Sequence, residues 1–340
     1  MNRVILSCRC SCAVVVLLSI LSGGCDSGAE GGSPTSEVDR AAAPLGAVGQ
    51  LGTFSGEAAT GRYHTCWLNR TDGTVVCRGR NDDGQLGTGG GTSSVPAAVA
   101  TTEKFVSVAA GDTHTCALEP DGTVWCWGLY GSAFSPTPVQ IVGLTASQIS
   151  ASGGHTCALT EDRRIACWGL NTSGQLGNGT VSPFSSPTYV LDGGESPGTT
   201  RYLAVVAGPR NSCGLTSRFE VLCWGDNSAG QVSSPPAPTP ETAPVVVASS
   251  AQDIAVGHSH LCVLQSDAKI FCQGDSTSNR LGKFAVPTAL STSGAEPIAL
   301  SAGHDHTCAL TTHGTVRCWG ANDRGQSGNP SVPVGVDRHR

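Results

Sequence analysis

Apolar residues come in short runs along this chain, each closed by glycine, proline, asparagine or aspartate, and Gly111 to Gly128 shows the unit most plainly. There His114-Thr115-Cys116-Ala117-Leu118 and Thr123-Val124-Trp125-Cys126 flank Pro120-Asp121-Gly122. β-Branched and aromatic residues on either side of a turn-forming cluster predict two antiparallel strands joined as a hairpin. A three-residue loop, a type I turn with Gly122 in the left-handed bulge position, sets Cys116 directly opposite Cys126. Facing strand residues lie within the separation a disulfide spans, so this register predicts a cross-strand bond.

The unit recurs. The expected disulfides pair Cys66 with Cys77, Cys116 with Cys126, Cys157 with Cys167, Cys213 with Cys223, Cys262 with Cys272 and Cys308 with Cys318. The first cysteines of successive pairs lie 50, 41, 56, 49 and 46 positions apart, the length of one four-stranded sheet unit rather than of a small helical repeat. An apolar strand ending in glycine precedes the hairpin, as in Phe105–Gly111, Tyr202–Gly208, Ile254–Gly257 and Ile298–Gly303. A strand that opens with proline follows it, at Pro96–Val99, Pro136–Val139, Pro187–Val190, Pro244–Val247, Pro287–Leu290 and Pro333–Val336. Proline is tolerated at a strand start or a sheet edge, so this fourth strand is expected to be the exposed one. No strong helical pattern follows residue 26.

A glycine-rich connector separates the third and fourth strands: NDDGQLGTG at Asn81–Gly89, NTSGQLGNG at Asn171–Gly179 and NDRGQSGN at Asn322–Asn329. With GxxHTCAL and DGxVxCWG before it, NxxGQLG resembles the repeat of the regulator of chromosome condensation family. The resemblance runs from about residue 46 to the end and implies an all-β fold, a β-propeller of four-stranded blades. Six units are countable, giving six blades with one disulfide each; a fragment at Gly49-Gln50-Leu51-Gly52 leaves seven as the alternative. Some copies depart from the pattern. Asn211 replaces the histidine of the fourth, Arg78 and Gln273 replace the tryptophan of the first and fifth, and Leu129-Tyr130-Gly131-Ser132-Ala133 replaces the connector of the second.

Met1–Cys25 reads differently. Arg3 and Arg9 precede an apolar run, Ala13–Leu21, too short to span a bilayer and followed by Ser22-Gly23-Gly24, which marks an export signal. The segment LSGGC resembles the lipobox of bacterial lipoproteins, implying that Cys25 becomes the lipidated first residue. Ser22 stands where an aliphatic residue is usual, so ordinary cleavage near the same place is the alternative. Residues 26–45 are Gly, Ser, Glu and Ala with almost no apolar content, the composition of a flexible tether, and residues 46–340 form the propeller. Export places the chain in the cell envelope, the periplasm or outside the cell, and accounts for paired cysteines, because disulfides persist in oxidising compartments. The whole chain carries −6, with 20 basic and 26 acidic residues. Bulk charge therefore invites neither nucleic acid nor an anionic membrane surface, and membrane contact is expected only through a lipid on Cys25.

Candidate chemistry is sparse. His64, His114, His155, His260 and His306 each stand two residues before a cysteine, on the same strand face. A His–Cys–Cys zinc site is weighed against histidines that fix a turn by hydrogen bonds, and recurrence around the chain favours the second, so no metal is assigned. Trp127, Trp168, Trp224 and Trp319 recur beside glycine, as packing between blades would require. Trp67, Trp125, Tyr130 and Phe134 break the repeat and are the candidate binding residues. Two insertions, Asp192–Thr200 and Ser233–Ala243, are further loop candidates. No nucleophile elbow, P-loop, paired-histidine zinc helix or EF-hand loop is found, so no catalytic residue and no cofactor is assigned. The expected function is a non-catalytic, extracytoplasmic scaffold for an unnamed protein partner. The alternatives are an envelope enzyme or a glycan-binding module on a propeller, and, implied by the family, nucleotide exchange on a small GTPase or inhibition of β-lactamase.

Overall fold

Alternation with period two and a turn at the middle of each cysteine pair produce a chain of antiparallel hairpins. The computed structural model describes residues 56–193, 198–233, 236, 239–276, 296–323, 325 and 327. The expected signal, tether, Cys25, Gly49–Gly52 and the fourth strands Pro287–Leu290 and Pro333–Val336 lie outside these residues.

The first blade is a sheet of β1 (Gly56–Thr60), β2 (His64–Asn69), β3 (Val75–Gly79) and β4 (Ser93–Ala98), in that order. The second contains β5 (Ser107–Ala110), β6 (His114–Leu118), β7 (Thr123–Tyr130) and the start of β8 (Ala133–Ser152). β8 then continues into the third blade as its inner strand, beside β9 (His155–Thr160), β10 (Ile165–Leu170) and β11 (Phe184–Tyr189). Sequence reasoning expects one sheet per repeat. Here one 20-residue strand pairs with β7 at one end and β9 at the other, fusing two blades into a seven-stranded sheet. The fourth blade is β12 (Tyr202–Ala207), β13 (Asn211–Thr216), β14 (Val221–Gly225) and β15 (Glu241–Ala248). Three described strands follow in each of the last two: β16 (Ala251–Val256), β17 (His260–Gln265) and β18 (Ile270–Gly274), then β19 (Pro297–Ala302), β20 (His306–Thr311) and β21 (Val316–Gly320). Among the described residues this is a β-propeller of six blades.

The central hairpins have the expected register. Cys116 faces Cys126, the Gly122 amide donates to the Glu119 carbonyl, and Gly122 has φ of 88°. In the other blades Cys66 faces Cys77, Cys157 faces Cys167, Cys213 faces Cys223, Cys262 faces Cys272 and Cys308 faces Cys318. All six pairs are disulfides, with Cα atoms 4.0–4.1 Å apart. The extra residue between Cys66 and Cys77 is taken up in the turn, where the Gly73 amide donates to the Asn69 carbonyl. The proline-containing fourth strands β4, β11 and β15 lie outermost, with proline inside the strand rather than at its start. There a missing N–H costs no ladder bond on the solvent side.

The core lies between blades. One cluster joins Cys66, Leu68 and Leu86 of the first blade to Ala117 and Trp127 of the second. Strands β6, β9 and β13 are buried on both faces, whereas β2 and β20 alternate buried and half-exposed positions. Inner blades are thus sandwiched by neighbours, and the cysteines and tryptophans at their centres are sealed from water.

Candidate functional site

Each hairpin begins at the position where sequence reasoning assigns a histidine to a turn. The structure corrects that assignment, because the imidazole bonds across to the next blade. His64 Nε2 meets Thr115 Oγ1 at 2.8 Å, His114 meets Thr156 at 2.7 Å, His155 meets Ser212 Oγ at 2.7 Å and His260 meets Thr307 at 2.8 Å. The Thr115 hydroxyl donates its one proton to the Gln85 carbonyl at 2.9 Å, so His64 Nε2 carries a hydrogen and donates to Thr115. Ser212 donates to the Gln175 carbonyl at 3.1 Å, which fixes the same tautomer on His155. Burial disfavours the charged imidazolium and pushes His64 and His155 down to about 4 and His114 to about 3. The cysteine sulfurs beside these rings are bonded to each other and offer no thiolate to a metal. Among the described residues no three His, Cys, Asp or Glu side chains form a metal-holding group.

The tryptophan readings hold, with a partner the sequence did not reveal. Trp127 Nε1 donates to the Gln85 carbonyl at 2.9 Å and Trp224 Nε1 to the Gln175 carbonyl at 2.8 Å. One connector carbonyl therefore accepts both the indole and the hydroxyl of the following blade. Gln273, in the tryptophan position of the fifth blade, donates to the Gln231 carbonyl at 3.2 Å and so keeps that bond. Sequence reasoning reads the connector as glycine-rich and overlooks the glutamine, whose working atom belongs to the main chain. The connector is itself held by its asparagine: Asn81, Asn171 and Asn227 Oδ1 accept from the amides of Leu86, Leu176 and Val232 at 2.8–3.0 Å.

The connectors and the Gly-x-x-His loops share one face of the propeller. The amide after the hairpin donates to the carbonyl of the residue before the histidine position, as Arg80 does to Tyr63 and Asp226 to Arg210. Around the axis the first residue after the inner strand and its glycine is Arg62, Asp112, Pro209, His258 or His304, with Gly153 closing the third blade's inner strand. Neighbouring loops are tied there, Asp112 N to Gly153 O at 2.7 Å and His258 N to His304 O at 3.1 Å. The His258 and His304 rings stack with centroids 4.1 Å apart, and His304 Nδ1 meets Asp305 at 2.9 Å. Arg62 approaches Asp112 at 3.9 Å and lies over Tyr63, as does Arg80. Burial raises the Asp112 carboxyl against the pull of Arg62, His258 and His304, and lowers His258, with His304 and Arg210 adding to the shift. Below this hub a channel of about 280 Å³ is lined by all six inner strands, including Thr60, Ala110, Ser152, Ala207, Val256 and Ala302.

Comparison with known proteins agrees with this frame. The model described as Regulator of chromosome condensation (RCC1) repeat matches residues 72–118, 146–175, 203–231 and 298–326. The chain carries RCC1 repeats. HERC6 from Homo sapiens, described as a probable E3 ubiquitin-protein ligase, is 30% identical over 253 residues, covering 68% of this chain and 24% of that protein. The chain thus spans about a quarter of that relative's length. Human WBSCR16 superposes with a TM-score of 0.73 at 21% identity, covering 86% of this chain and 83% of its own. Prp20p from Saccharomyces cerevisiae, whose structure was described with its binding properties to Gsp1p and histones, has a TM-score of 0.68 at 22% identity, covering 84% and 76%. At such identities the two structures establish the fold alone.

The RCC1 frame separates the four aromatic candidates. Cys66 faces the second blade, so Trp67, its neighbour along the strand, points to the other side of the first blade and lies under Arg78 at 5.3 Å. Trp125 shares a strand face with Trp127, packs against the core between the first two blades, and donates from Nε1 to Glu119 at 3.0 Å. Tyr130 packs on the core between the second and third blades. Phe134 is 60% exposed. Tyr130 and Phe134 share one hairpin tip, while Trp67 and Trp125 lie on opposite sides of the first blade. Of the insertions, Asp192–Thr200 has residues 194–197 outside the described residues, and at its ends the Asp192 carboxylate accepts from the Thr200 amide at 3.0 Å. In the other insertion, residues 234, 235, 237 and 238 lie outside the described residues.

Proposed function

We propose that this protein is an exported, non-catalytic scaffold that recognises a protein partner on its connector face. The observation that carries the reading is the contrast between frame and rim. The histidine–hydroxyl, tryptophan–carbonyl and asparagine–amide bonds recur in several blades with the same atoms. The axial residues they present do not repeat: arginine, aspartate, glycine, proline and two histidines occupy neighbouring places. Repetition serves packing, whereas a different side chain in each blade builds an asymmetric surface, and tyrosine with arginine is the composition of interface anchors. The Prp20p description is a precedent for protein binding by an RCC1-type propeller.

Residues 1–25 are the export signal in this reading and 26–45 a tether. A lipid on Cys25 holds the propeller, residues 46–340, at the cell envelope. Six disulfides suit an oxidising compartment.

The test places p-benzoylphenylalanine at Tyr63 on the connector face, or at Asp121 on the opposite face, in protein made in its own host. Irradiation is expected to give a discrete protein adduct from position 63 that excess unmodified propeller competes away, and none from 121. Equal labelling from both positions, or labelling that Arg62→Ala with His304→Ala leaves unchanged, sinks the connector-face assignment. The mature N-terminus is read by intact mass: a lipid-sized increment lost in Cys25→Ser supports the anchor, and a chain that retains Met1 refutes export.

A further inference from the structure

At the seam between the first and second blades, Trp127 Nε1 and Thr115 Oγ1 both donate to the Gln85 carbonyl, each at 2.9 Å. Between the third and fourth, Trp224 Nε1 at 2.8 Å and Ser212 Oγ at 3.1 Å converge on the Gln175 carbonyl. Between the second and third blades the same two groups are Trp168 and Thr156, 2% and 0% exposed. Among the described residues Trp168 Nε1 has no acceptor, and Thr156 Oγ1 meets only His114 Nε2 at 2.7 Å and Cys116 Sγ at 3.5 Å. An indole N–H buried without an acceptor is costly, and the first–second and third–fourth seams, its siblings with a described Gly-Gln-Leu-Gly connector, avoid that cost in the same way.

The cause lies in the second blade. Its connector is reduced to the turn Gly131-Ser132, with Tyr130 paired to Ala133 and Leu129 to Phe134. In the corresponding core clusters the other seams bury Leu86 and Leu176, while this one is packed by the half-buried Tyr130. The turn rests on the strand end beside Trp168, because a Cβ on Gly131 would lie 3.0 Å from the Gly169 Cα. Around it Leu129, Phe134 and Phe184 are exposed.

We propose that this seam binds a carbonyl-presenting loop of a partner protein, seated where the connector glutamine sits at the sibling seams, with Tyr130 as the displaceable plug. The inference rests on the scaffold reading and names the chemistry of its recognition. The sibling seams define what fits: a Gly-Gln-Leu-Gly turn with both glycines at positive φ, as Gly84 at 74° and Gly87 at 69°, a leucine for the apolar site, and a free main-chain oxygen. Leu129, Phe134 and Phe184 supply an apolar rim beside that entry.

The probe is an acetylated, amidated nonapeptide with the sequence of residues 171–179, titrated into the full mature protein labelled with 15N at its indoles. Trp168→Phe identifies the resonance. Its N–H is expected to move downfield saturably while those of Trp127 and Trp224, already bonded, stay in place. Tyr130→Ala is expected to tighten the peptide at least about threefold, since the plug no longer competes. A scrambled peptide that acts equally well overturns the proposal. So does a Trp168 resonance that millimolar peptide leaves unmoved in both proteins, including one already at the position of Trp127 and Trp224 because a retained water occupies the site. If the peptide fails while crosslinking from position 63 persists, this inference falls and the scaffold reading stands.

Discussion

Asn211 shows how closely single residues answer one another across this fold. It is the one departure from histidine among the six hairpins, and the residue opposite it in the fifth blade is Leu261, where the other described seams offer a hydroxyl. Asn211 is fully buried, and among the described residues neither its amide nitrogen nor its side-chain oxygen has a partner. Asn211→His with Leu261→Thr recreates the bond made elsewhere, so the double variant is expected to exceed the sum of the singles by about 1 kcal/mol. Urea denaturation of the four proteins reads the coupling, and strict additivity would refute the pairing. The hairpin turns carry a second residue-scale cost. Phe219 has φ of 61° in the turn where the second blade has Gly122, and its ring is exposed. Phe219→Gly is expected to stabilise the protein by about 0.5–1 kcal/mol through relief of left-handed strain; a fall in melting temperature would mean that the ring contributes more than its exposure implies.

At the scale of the element, each hairpin is cross-linked at its centre rather than at its ends. The loop closed by Cys116 and Cys126 spans ten residues, and the entropy removed from the unfolded chain amounts to up to about 2.5–3 kcal/mol. A tight turn already brings those strands together, so Cys116→Ser with Cys126→Ser is expected to cost up to that value and to leave the fold intact. Equilibrium unfolding of the double variant checks it; a loss well beyond that range would show that the sulfur packing, not the loop constraint, dominates. The connector is a second stabilising element. Asn171→Ala removes the acceptor of the buried Leu176 amide and frees the loop that supplies the Gln175 carbonyl. About 1–3 kcal/mol should be lost, together with protection of the Trp224 indole from solvent exchange. Retained protection would show that the Gln175 carbonyl is held without its asparagine.

For the whole molecule, the buried histidines make stability depend on pH. Unfolded imidazoles protonate near 6.5, whereas His64, His114 and His155 are pushed down to about 4, 3 and 4 in the fold. Between those values the unfolded chain binds more protons than the native one, so acid favours unfolding. Stability is therefore full above about pH 6.5 and is lost as pH falls toward 4, each histidine contributing on the order of 1 kcal/mol per pH unit. Melting temperatures across a descending pH series from neutrality are expected to fall, and His114→Gln is expected to flatten the profile. A pH-independent melting temperature would contradict the buried neutral imidazoles.

Six hairpins, their register, the six disulfides and the order of strands within a blade were determined by the sequence alone. Those features rest on contacts within about ten residues, where Pro120-Asp121-Gly122 and alternating side chains set the geometry. The pairing of Cys157 with Cys167, or of Cys308 with Cys318, needs nothing beyond its own turn. The propeller itself became legible through repetition, since six copies of one unit that cannot bury its faces alone must stack. What the tertiary structure decided lies further apart in the chain. The histidine partners stand 42 to 57 residues away, and Gln85 reaches Trp127 through a main-chain oxygen that no residue type announces. β8 fuses two blades because it runs without a break from Thr145, opposite Thr123 in the second blade, to Ala146, opposite Thr160 in the third. The axial hub of Arg62, Asp112, His258 and His304 exists only because curvature brings the same position of several blades to one axis. Local pattern fixes each blade, and closure of the array chooses which side chains meet.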